Sequence, residues 1–350
     1  MKRLFILSFF ACSPCAIAQD TVKVVSELTP DQQAESDYNQ GLEMIRKNDF
    51  LSAVDYFTKC IAVKPEFDKA LYNRSIAFTK AKRYAEAKMD IEKVISLTPE
   101  YGDAYFTKSL ILFNENKKDL QRISLDKCLS LSPNHADANY YRGLLFFENG
   151  QFSMAIKNYD KAIASNPNYT YAYNDRASSK LALNDLPGAI ADYEKAVGID
   201  RSQAFLYNNL GSAYRQNKNF PKAIESYNMA VQVNPNYLIA QLNRGAAALE
   251  DGKLAKAQAD FEGVLKKDPN NSSAYNGMAS VYILQKEYLK AKNMADKAIQ
   301  INPKNGPAFY NRGIARQMLH EEEECCTDWK KALELGVRAA NLFINSDCNE

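Results

Sequence analysis

Residues 204–237 read AFLYNNLGSAYRQNKNFPKAIESYNMAVQVNPNY, and this stretch decides the fold because its pattern recurs nine times along the chain. A frame of 34 residues that starts at Ala34 runs to Ala339 without slipping. Self-similarity at a fixed period of this size is the signature of a repeat architecture, in which each unit stacks on its neighbours. Positions are numbered one to thirty-four within each repeat.

Small residues mark three positions of the frame. Two antiparallel helices approach each other to about 8–10 Å only where the contacting side chains are small. Position eight therefore predicts the contact on a first helix, and positions twenty and twenty-seven predict the contacts on a second helix. Position eight is Gly41, Ser75, Ser109, Gly143, Ala177, Gly211, Gly245, Ala279 and Gly313. Position twenty is Ala53, Ala87, Gln121, Ala155, Ala189, Ala223, Ala257, Ala291 and Cys325. Position twenty-seven is Cys60, Val94, Cys128, Ala162, Ala196, Ala230, Val264, Ala298 and Ala332.

Bulky residues and prolines mark two further positions. Because proline lacks an N–H group and restricts the residue before it, a proline at position thirty-two ends the second helix. The bulky residues of position twenty-four are Phe57, Ile91, Leu125, Tyr159, Tyr193, Tyr227, Phe261 and Trp329. The prolines of position thirty-two are Pro65, Pro99, Pro133, Pro167, Pro235, Pro269 and Pro303.

This set of positions resembles the tetratricopeptide-repeat family from Ala34 to Ala339. The resemblance implies an all-α fold, a right-handed superhelical solenoid of nine 34-residue helical hairpins with a C-terminal capping helix. Repeat three departs from the family pattern at Lys118 and Gln121, so a looser hairpin is expected there. The repeats are 34–67, 68–101, 102–135, 136–169, 170–203, 204–237, 238–271, 272–305 and 306–339.

Residues 1–18 are interpreted as a secretory signal peptide. Lys2 and Arg3 precede an apolar run at residues 4–11, and residues 16–18 have the small-x-small pattern of a cleavage site. We therefore expect export to the periplasm or the envelope surface. Lipid anchoring at Cys12 is the alternative, although the residues before it fit a lipobox poorly.

Two short segments flank the repeats. Residues 19–33 are predicted to form a linker and the start of the first helix, because Thr29, Pro30 and Gln32 read as an N-cap, a first helical position and a capping box. Residues 340–350 are predicted to form the C-terminal cap. Residues 338–344, which overlap the start of this region, are short and amphipathic, as expected of a capping helix.

Charge and apolar content limit the partners. The chain has 44 Lys and Arg residues and 42 Asp and Glu residues, and the two counts become equal once Lys2 and Arg3 are removed. No basic tract is present to neutralise a phosphate backbone, so no nucleic-acid partner is expected. No apolar run of spanning length follows residue 18, so no membrane span is expected either.

The five cysteines after residue 18 fall into two groups. Cys60, Cys128 and Cys325 occupy small-residue positions of the frame and are interpreted as packing residues. Cys326 and Cys348 lie outside those positions and form a possible disulfide in an exported chain. Cys325 competes for this pairing, and connectivity cannot be deduced from the sequence alone.

The sequence contains few candidate catalytic residues. The two histidines, His135 and His320, fall in turns of the frame and have neither a nucleophile nor a metal-ligand pattern beside them. Both are interpreted as exposed turn residues. No phosphate-binding loop or metalloprotease motif is present, so neither an enzyme, a metal site nor a cofactor is predicted.

The resemblance implies that first helices line a concave groove. Asparagine at position six looks like the asparagine ladder with which some tetratricopeptide-repeat proteins hold extended peptides, since an amide both donates and accepts. The alternative is that these amides only brace neighbouring helices. Position six is Asn39, Asn73, Thr107, Tyr141, Asp175, Asn209, Asn243, Gly277 and Asn311. The predicted peptide-binding residues are Asn39, Asn73, Asp175, Asn209, Asn243 and Asn311, with Tyr171, Phe205, Asn174 and Asn208 beside them.

These observations favour a protein–protein interaction scaffold that acts outside the cytoplasm and binds a peptide segment or partner helix in the groove. One alternative is a structural assembly factor of an envelope complex, which uses the convex face and the ends of the solenoid. A second is a carbohydrate- or glycoconjugate-binding protein, suggested by the 21 tyrosines. The sequence carries no indication of oligomeric state.

Overall fold

The computed structural model of the protein describes residues 28–348 and forms two compact units, which divide after Pro99. The described residues form nineteen α-helices and no strand, so the expected all-α architecture of consecutive helical hairpins is confirmed. The predicted signal peptide lies outside the described residues.

The first unit contains two hairpins. They are α1 (Pro30–Arg46) with α2 (Phe50–Val63), and α3 (Asp68–Lys80) with α4 (Tyr84–Leu97). At the start of α1, Gln32 N–H donates to Thr29 Oγ1 (3.3 Å) and Thr29 N–H donates to Gln32 Oε1 (2.9 Å). The predicted capping box is therefore confirmed.

The second unit contains seven hairpins and a final short helix. Its helices are α5 (Gly102–Asn114), α6 (Lys118–Leu131), α7 (Ala136–Glu148), α8 (Phe152–Ser165), α9 (Thr170–Ala182), α10 (Leu186–Ile199), α11 (Ala204–Gln216), α12 (Phe220–Val233), α13 (Leu238–Glu250), α14 (Leu254–Lys267), α15 (Ser272–Leu284), α16 (Tyr288–Ile301), α17 (Gly306–Gln317), α18 (Glu322–Glu334) and α19 (Ala340–Asp347). Several first helices of successive repeats in this unit also touch directly, as α11 touches α13 and α13 touches α15. The side of the second unit on which its first helices lie is called here the first-helix face.

Each hairpin turns at the same position. Position fifteen has a positive φ, between 56° and 73°, in all nine repeats. The next N–H then donates back to position eleven, as Lys253 does to the Ala248 carbonyl at 2.8 Å, which is the Schellman arrangement. Only Gly150 and Gly252 adopt this conformation without a Cβ penalty. The residues at this position are Asn48, Lys82, Asn116, Gly150, Asn184, Lys218, Gly252, Lys286 and His320.

The small positions serve the packing that the frame predicts. Positions twenty and twenty-seven are buried in every repeat, and where position eight is glycine, the ring at position twenty-four lies directly on it. A Cβ added to Gly211 would lie 2.7 Å from Tyr227 Cε1, which is closer than two carbons can approach. In repeat three, Gln121 is buried and its Oε1 has no hydrogen-bond partner within residues 28–348. The helices of this repeat nevertheless have the usual lengths, so the expected looseness is not visible in their bounds.

The C-terminal helix covers the last hairpin. The Phe343 ring of α19 stacks on Trp329, with centroids 4.7 Å apart, and meets Tyr310 edge-on at 5.8 Å. A disulfide joins Cys326 on α18 to Cys348, directly after α19. Among the described cysteines, Cys60, Cys128 and Cys325 are free and buried.

Candidate functional site

An exposed apolar row lies on the first-helix face of repeats five to seven. It consists of Tyr171, Phe205 and Ile239, which share position two of their repeats. Tyr171 is 48% exposed and Ile239 is 55% exposed. The rings of Tyr171 and Phe205 are nearly parallel, with an angle of 7° and centroids 6.1 Å apart. Phe205 is half-buried between them, so water reaches the row mainly at Tyr171 and Ile239.

A ladder of side-chain hydrogen bonds runs beside this row. In each rung, a residue at position six bonds to the residue at position five of the preceding repeat. Asn209 Nδ2 donates to Asn174 Oδ1 at 2.9 Å, and Asn243 Nδ2 donates to Asn208 Oδ1 at 2.9 Å. Farther along, Asn311 Nδ2 donates to Asn276 Oδ1 at 2.8 Å. The amides thus join successive first helices.

The ladder changes the interpretation of the predicted asparagines. Asn174, Asn208 and Asn311 are buried and bonded within the protein, so they do not present free amides to a peptide. They instead brace neighbouring helices, which is the alternative considered for the asparagines of position six; Asn174 and Asn208 are their partners at position five. Asn209 and Asn243 are half-buried, and their Oδ1 atoms accept no hydrogen bond from the described residues. These two oxygens remain able to accept from a ligand.

The first unit has a single rung of the same kind. Asn73 Nδ2 donates to Tyr38 Oη at 3.2 Å and to the Lys69 carbonyl at 2.9 Å. Asn39 is exposed at the start of the series. Both amide donations of Asn73 go to groups of its own unit, so only its Oδ1 atom is left to accept from a ligand.

In repeat five, position six is a carboxylate, Asp175, and not an amide. Asp175 Oδ2 accepts from Tyr140 Oη at 2.8 Å, and Asp175 Oδ1 accepts from Asn174 Nδ2 at 2.8 Å. Burial raises the pKa of Asp175, and the two hydrogen bonds that oppose this shift do not cancel it. Together with the bond between Asn209 and Asn174, these contacts connect α7, α9 and α11.

A second brace, which the sequence reasoning missed, holds the hairpins from inside. Arginine at position seven pairs with aspartate at position twenty-three of the same repeat. Arg176 Nη2 donates to Asp192 Oδ1 at 2.6 Å, and its Nη1 donates to Asp160 of the preceding repeat at 2.6 Å. The signal was available, because arginine and aspartate sixteen residues apart recur in four repeats. The pairs are Arg74 and Asp90, Arg176 and Asp192, Arg244 and Asp260, and Arg312 and Asp328.

Repeat six lacks this brace, and a cavity lies beside the gap. Leu210 and Ser226 occupy the two positions of the pair. The cavity, of about 450 Å³, lies between α10, α11 and α12, and Tyr207 and Tyr214 contribute to its walls. Charged residues of both signs, including Lys222 and Glu225, also line it. This cavity is a candidate contact surface separate from the first-helix face.

The two histidines lie in a helix cap and in a hairpin turn. His135 caps α7, because its Nδ1 accepts from Ala138 N–H at 3.1 Å. Its Nε2 lies 3.4 Å from Asp103, and its side chain is largely covered, so the expectation of an exposed residue is wrong for His135. His320 is exposed in the last hairpin turn. Residues 28–348 bring together no group of three His, Cys, Asp or Glu side chains that could hold a metal ion.

Three family models, each described as a tetratricopeptide repeat, match the chain. One matches residues 136–169 and 204–237, a second matches residues 248–311, and a third matches residues 68–101, 102–135 and 170–203. The matched segments together cover more than half of the chain.

Individual relatives are more distant. An uncharacterised protein of Methanocaldococcus jannaschii is 35% identical over 57 residues, which is 16% of this chain and 66%, just under two thirds, of the relative. A tetratricopeptide-repeat protein from Parabacteroides merdae has a similar crystal structure, with a TM-score of 0.59 at 18% identity over 71% of this chain and 99% of that one. The type IV pilus biogenesis factor PilW has a TM-score of 0.50 at 16% identity, over 61% of this chain and 94% of its own. At these identities the likeness extends to the fold alone.

Proposed function

Since the chain belongs to the tetratricopeptide-repeat family, we propose that it is a scaffold whose first-helix face binds a peptide segment or partner helix outside the cytoplasm. The repeats and their structural relatives support the coarser statement, a protein–protein interaction scaffold. Such scaffolds are generally not enzymes. The single observation that carries the finer proposal is the row of Tyr171, Phe205 and Ile239, exposed at Tyr171 and Ile239, beside the hydrogen-bond ladder.

The chemistry of this face suits a peptide. Aromatic side chains supply large contact areas at low entropic cost and are enriched among the residues that dominate binding energy. The free Oδ1 atoms of Asn209 and Asn243 lie one repeat apart and are positioned to accept main-chain N–H groups. Each such bond contributes about 0.5–1.5 kcal/mol. The face therefore offers apolar anchors for side chains of the peptide, together with polar contacts to its main chain that do not depend on its sequence.

Two other functions remain as alternatives. The cavity beside Tyr207 and Tyr214 favours the assembly factor, because it gives a second surface that a larger complex could occupy. The carbohydrate-binding alternative has less support. The tyrosines of position twenty-four, Tyr159, Tyr193 and Tyr227, are buried in the hairpin cores and are out of reach of a sugar.

Site-specific crosslinking tests the face directly. A photo-crosslinking residue placed at Tyr171 should capture a defined protein partner from native envelopes, because Tyr171 lies exposed in the apolar row. The same residue placed at Lys256, which is exposed on α14, is the control and should capture none. Capture from Lys256 together with none from Tyr171 would contradict the proposal and favour the assembly factor.

The proposed location outside the cytoplasm rests on the N-terminal sequence and on the cysteines. Disulfides persist in oxidising compartments and are rare in the cytosol. The disulfide between Cys326 and Cys348 supports the same location for this reason. Within residues 28–348, no helix combines the length and the apolar character that crossing a membrane requires.

Mass analysis of the native chain checks this location. After denaturation without reductant and labelling of thiols, we expect a chain that begins at Gln19 and carries three labels, on Cys60, Cys128 and Cys325. Denaturation is needed because burial raises the pKa of Cys128 to about 11 and keeps its thiol unreactive. Five labels would contradict the disulfide between Cys326 and Cys348, and a chain that retains Met1 would overturn the proposed export.

A further inference from the structure

The carboxylate of Asp175 has no cationic partner within residues 28–348. Its two hydrogen bonds come from the neutral groups of Tyr140 and Asn174, at 2.8 Å each. The aspartates of the internal braces differ in this respect, because an arginine holds each of them. Asp175 is half-buried, and a partly desolvated carboxylate without a cation keeps an unfavourable desolvation energy, which is consistent with the raised pKa of Asp175.

The nearby basic residues are committed elsewhere. Arg176, the next residue along α9, binds Asp160 and Asp192. Lys180 also binds Asp192, at 2.7 Å, and Arg142 binds Asp126 at 3.1 Å. None of these cations is available to neutralise Asp175 unless one of the internal pairs breaks.

The surroundings of Asp175 add acceptors rather than cations. Asp137 accepts from Tyr169 Oη at 2.7 Å. Tyr159 is fully buried, and its Oη has no hydrogen-bond partner within the described part of the chain. The charge of Asp175 contributes to the raised pKa of Tyr159, after burial. An unpartnered buried hydroxyl near Asp175 indicates unfilled hydrogen-bonding capacity in this cluster.

An aromatic surface lies one helical turn from the carboxylate. Tyr171 precedes Asp175 by four residues on α9, so the two side chains share one face of the helix. The exposed Tyr171 ring and the parallel Phe205 ring offer π faces to a cation or to the methylene stem that carries it. Carboxylate and aromatic faces together are suited to an ammonium or guanidinium group.

We propose that Asp175, with Tyr171 beside it, binds a lysine or arginine side chain of the partner, so that the bound segment is a basic peptide. This inference rests on the proposed function, because it assigns a ligand class to the same face. The cation supplies the charge that Asp175 lacks, while the apolar row holds neighbouring side chains of the segment. The net charge of the whole chain is near zero, so this preference is local to repeats four to six.

The Asp175→Asn variant tests the proposal with little risk to the fold. Asparagine has the same shape, can still accept from Tyr140 through its amide oxygen, and occupies this position naturally at Asn209 and Asn243. Its amide nitrogen cannot accept from Asn174, so the change also removes one hydrogen bond. The first probe is a synthetic extended peptide composed of lysine, serine and leucine in alternation. The second is the same peptide with glutamine in place of each lysine. We expect the variant to weaken binding of the lysine peptide about tenfold and to leave the glutamine peptide unchanged.

Asp185→Asn is the matched control, because it removes one charge from the same repeat. Asp185 caps α10, and Asn219 performs the same role for α12, so the cap should survive the change. Equal affinity of the parent protein for both peptides would overturn the proposal. If Asp175→Asn and Asp185→Asn behave alike while Tyr171→Ala still weakens binding, the cation site is wrong and the face is right. If Tyr171→Ala also leaves binding unchanged, the proposed function fails as well.

Discussion

Replacing Ala230 with arginine should lower the free energy of unfolding by at least about 3 kcal/mol. Ala230 stands at position twenty-seven on α12, is fully buried, and packs against Tyr207 and Ala240. The gap between the helices holds a methyl group and no more. A guanidinium there must either push the helices apart or remain buried without a counter-ion, and both outcomes are costly.

The control for this prediction is Lys195→Arg on α10. Lys195 is exposed, so the same incoming side chain stays in water, and we expect a change within about 0.5 kcal/mol. Urea denaturation followed by circular dichroism measures both variants. Indistinguishable transitions for Ala230→Arg and Lys195→Arg would mean that the 34-residue frame is misplaced.

The packing of the hairpins was predictable because it depends on local size. Only small side chains fit where two helices approach closely, so the small residues at positions eight, twenty and twenty-seven report the contact directly. Proline and the capping box similarly act on the backbone beside them. The hairpin turns were harder to predict, because Lys82 and His320 adopt a positive φ that glycine or asparagine would normally mark.

The candidate site was only partly predictable. An asparagine at position six can either bind a ligand or brace a neighbour, and its partner stands 35 residues earlier in the sequence. Whether such an asparagine binds a ligand or braces a neighbour depends on how one repeat stacks on the next. This stacking cannot be deduced from the sequence of a single repeat. The sequence did contain a usable signal. For each bracing residue at position six, the residue 35 positions earlier, at position five of the preceding repeat, is polar. These pairs are Tyr38 and Asn73, Tyr140 and Asp175, Asn174 and Asn209, Asn208 and Asn243, and Asn276 and Asn311.

The ladder determines which residues can serve in a clean binding test. Truncating Asn209 or Asn243 would remove a bond between repeats, so any loss of binding would be mixed with a loss of stability. Tyr171, Phe205 and Ile239 avoid this problem. They belong to the apolar row of the face, and no hydrogen bond of the ladder involves them.

The triple variant Tyr171→Ala, Phe205→Ala and Ile239→Ala should weaken binding of the crosslinked partner at least about tenfold, while the thermal transition stays close to that of the parent. The expected loss follows from removing every apolar anchor of the row, because loss of one buried aromatic anchor can cost about 2 kcal/mol or more. The matched control is Lys222→Ala, Glu225→Ala and Lys256→Ala, all at exposed positions of α12 and α14.

The dissociation constant of that partner, measured for the parent and both triple variants, distinguishes binding at the first-helix face from binding elsewhere on the solenoid. We expect a weakened complex for the Tyr171, Phe205 and Ile239 variant and an unchanged complex for the Lys222, Glu225 and Lys256 variant. The reverse result, with binding lost only in the second variant, would contradict binding at the first-helix face. It would assign the contact to the side of α12 and α14, as the assembly-factor alternative requires.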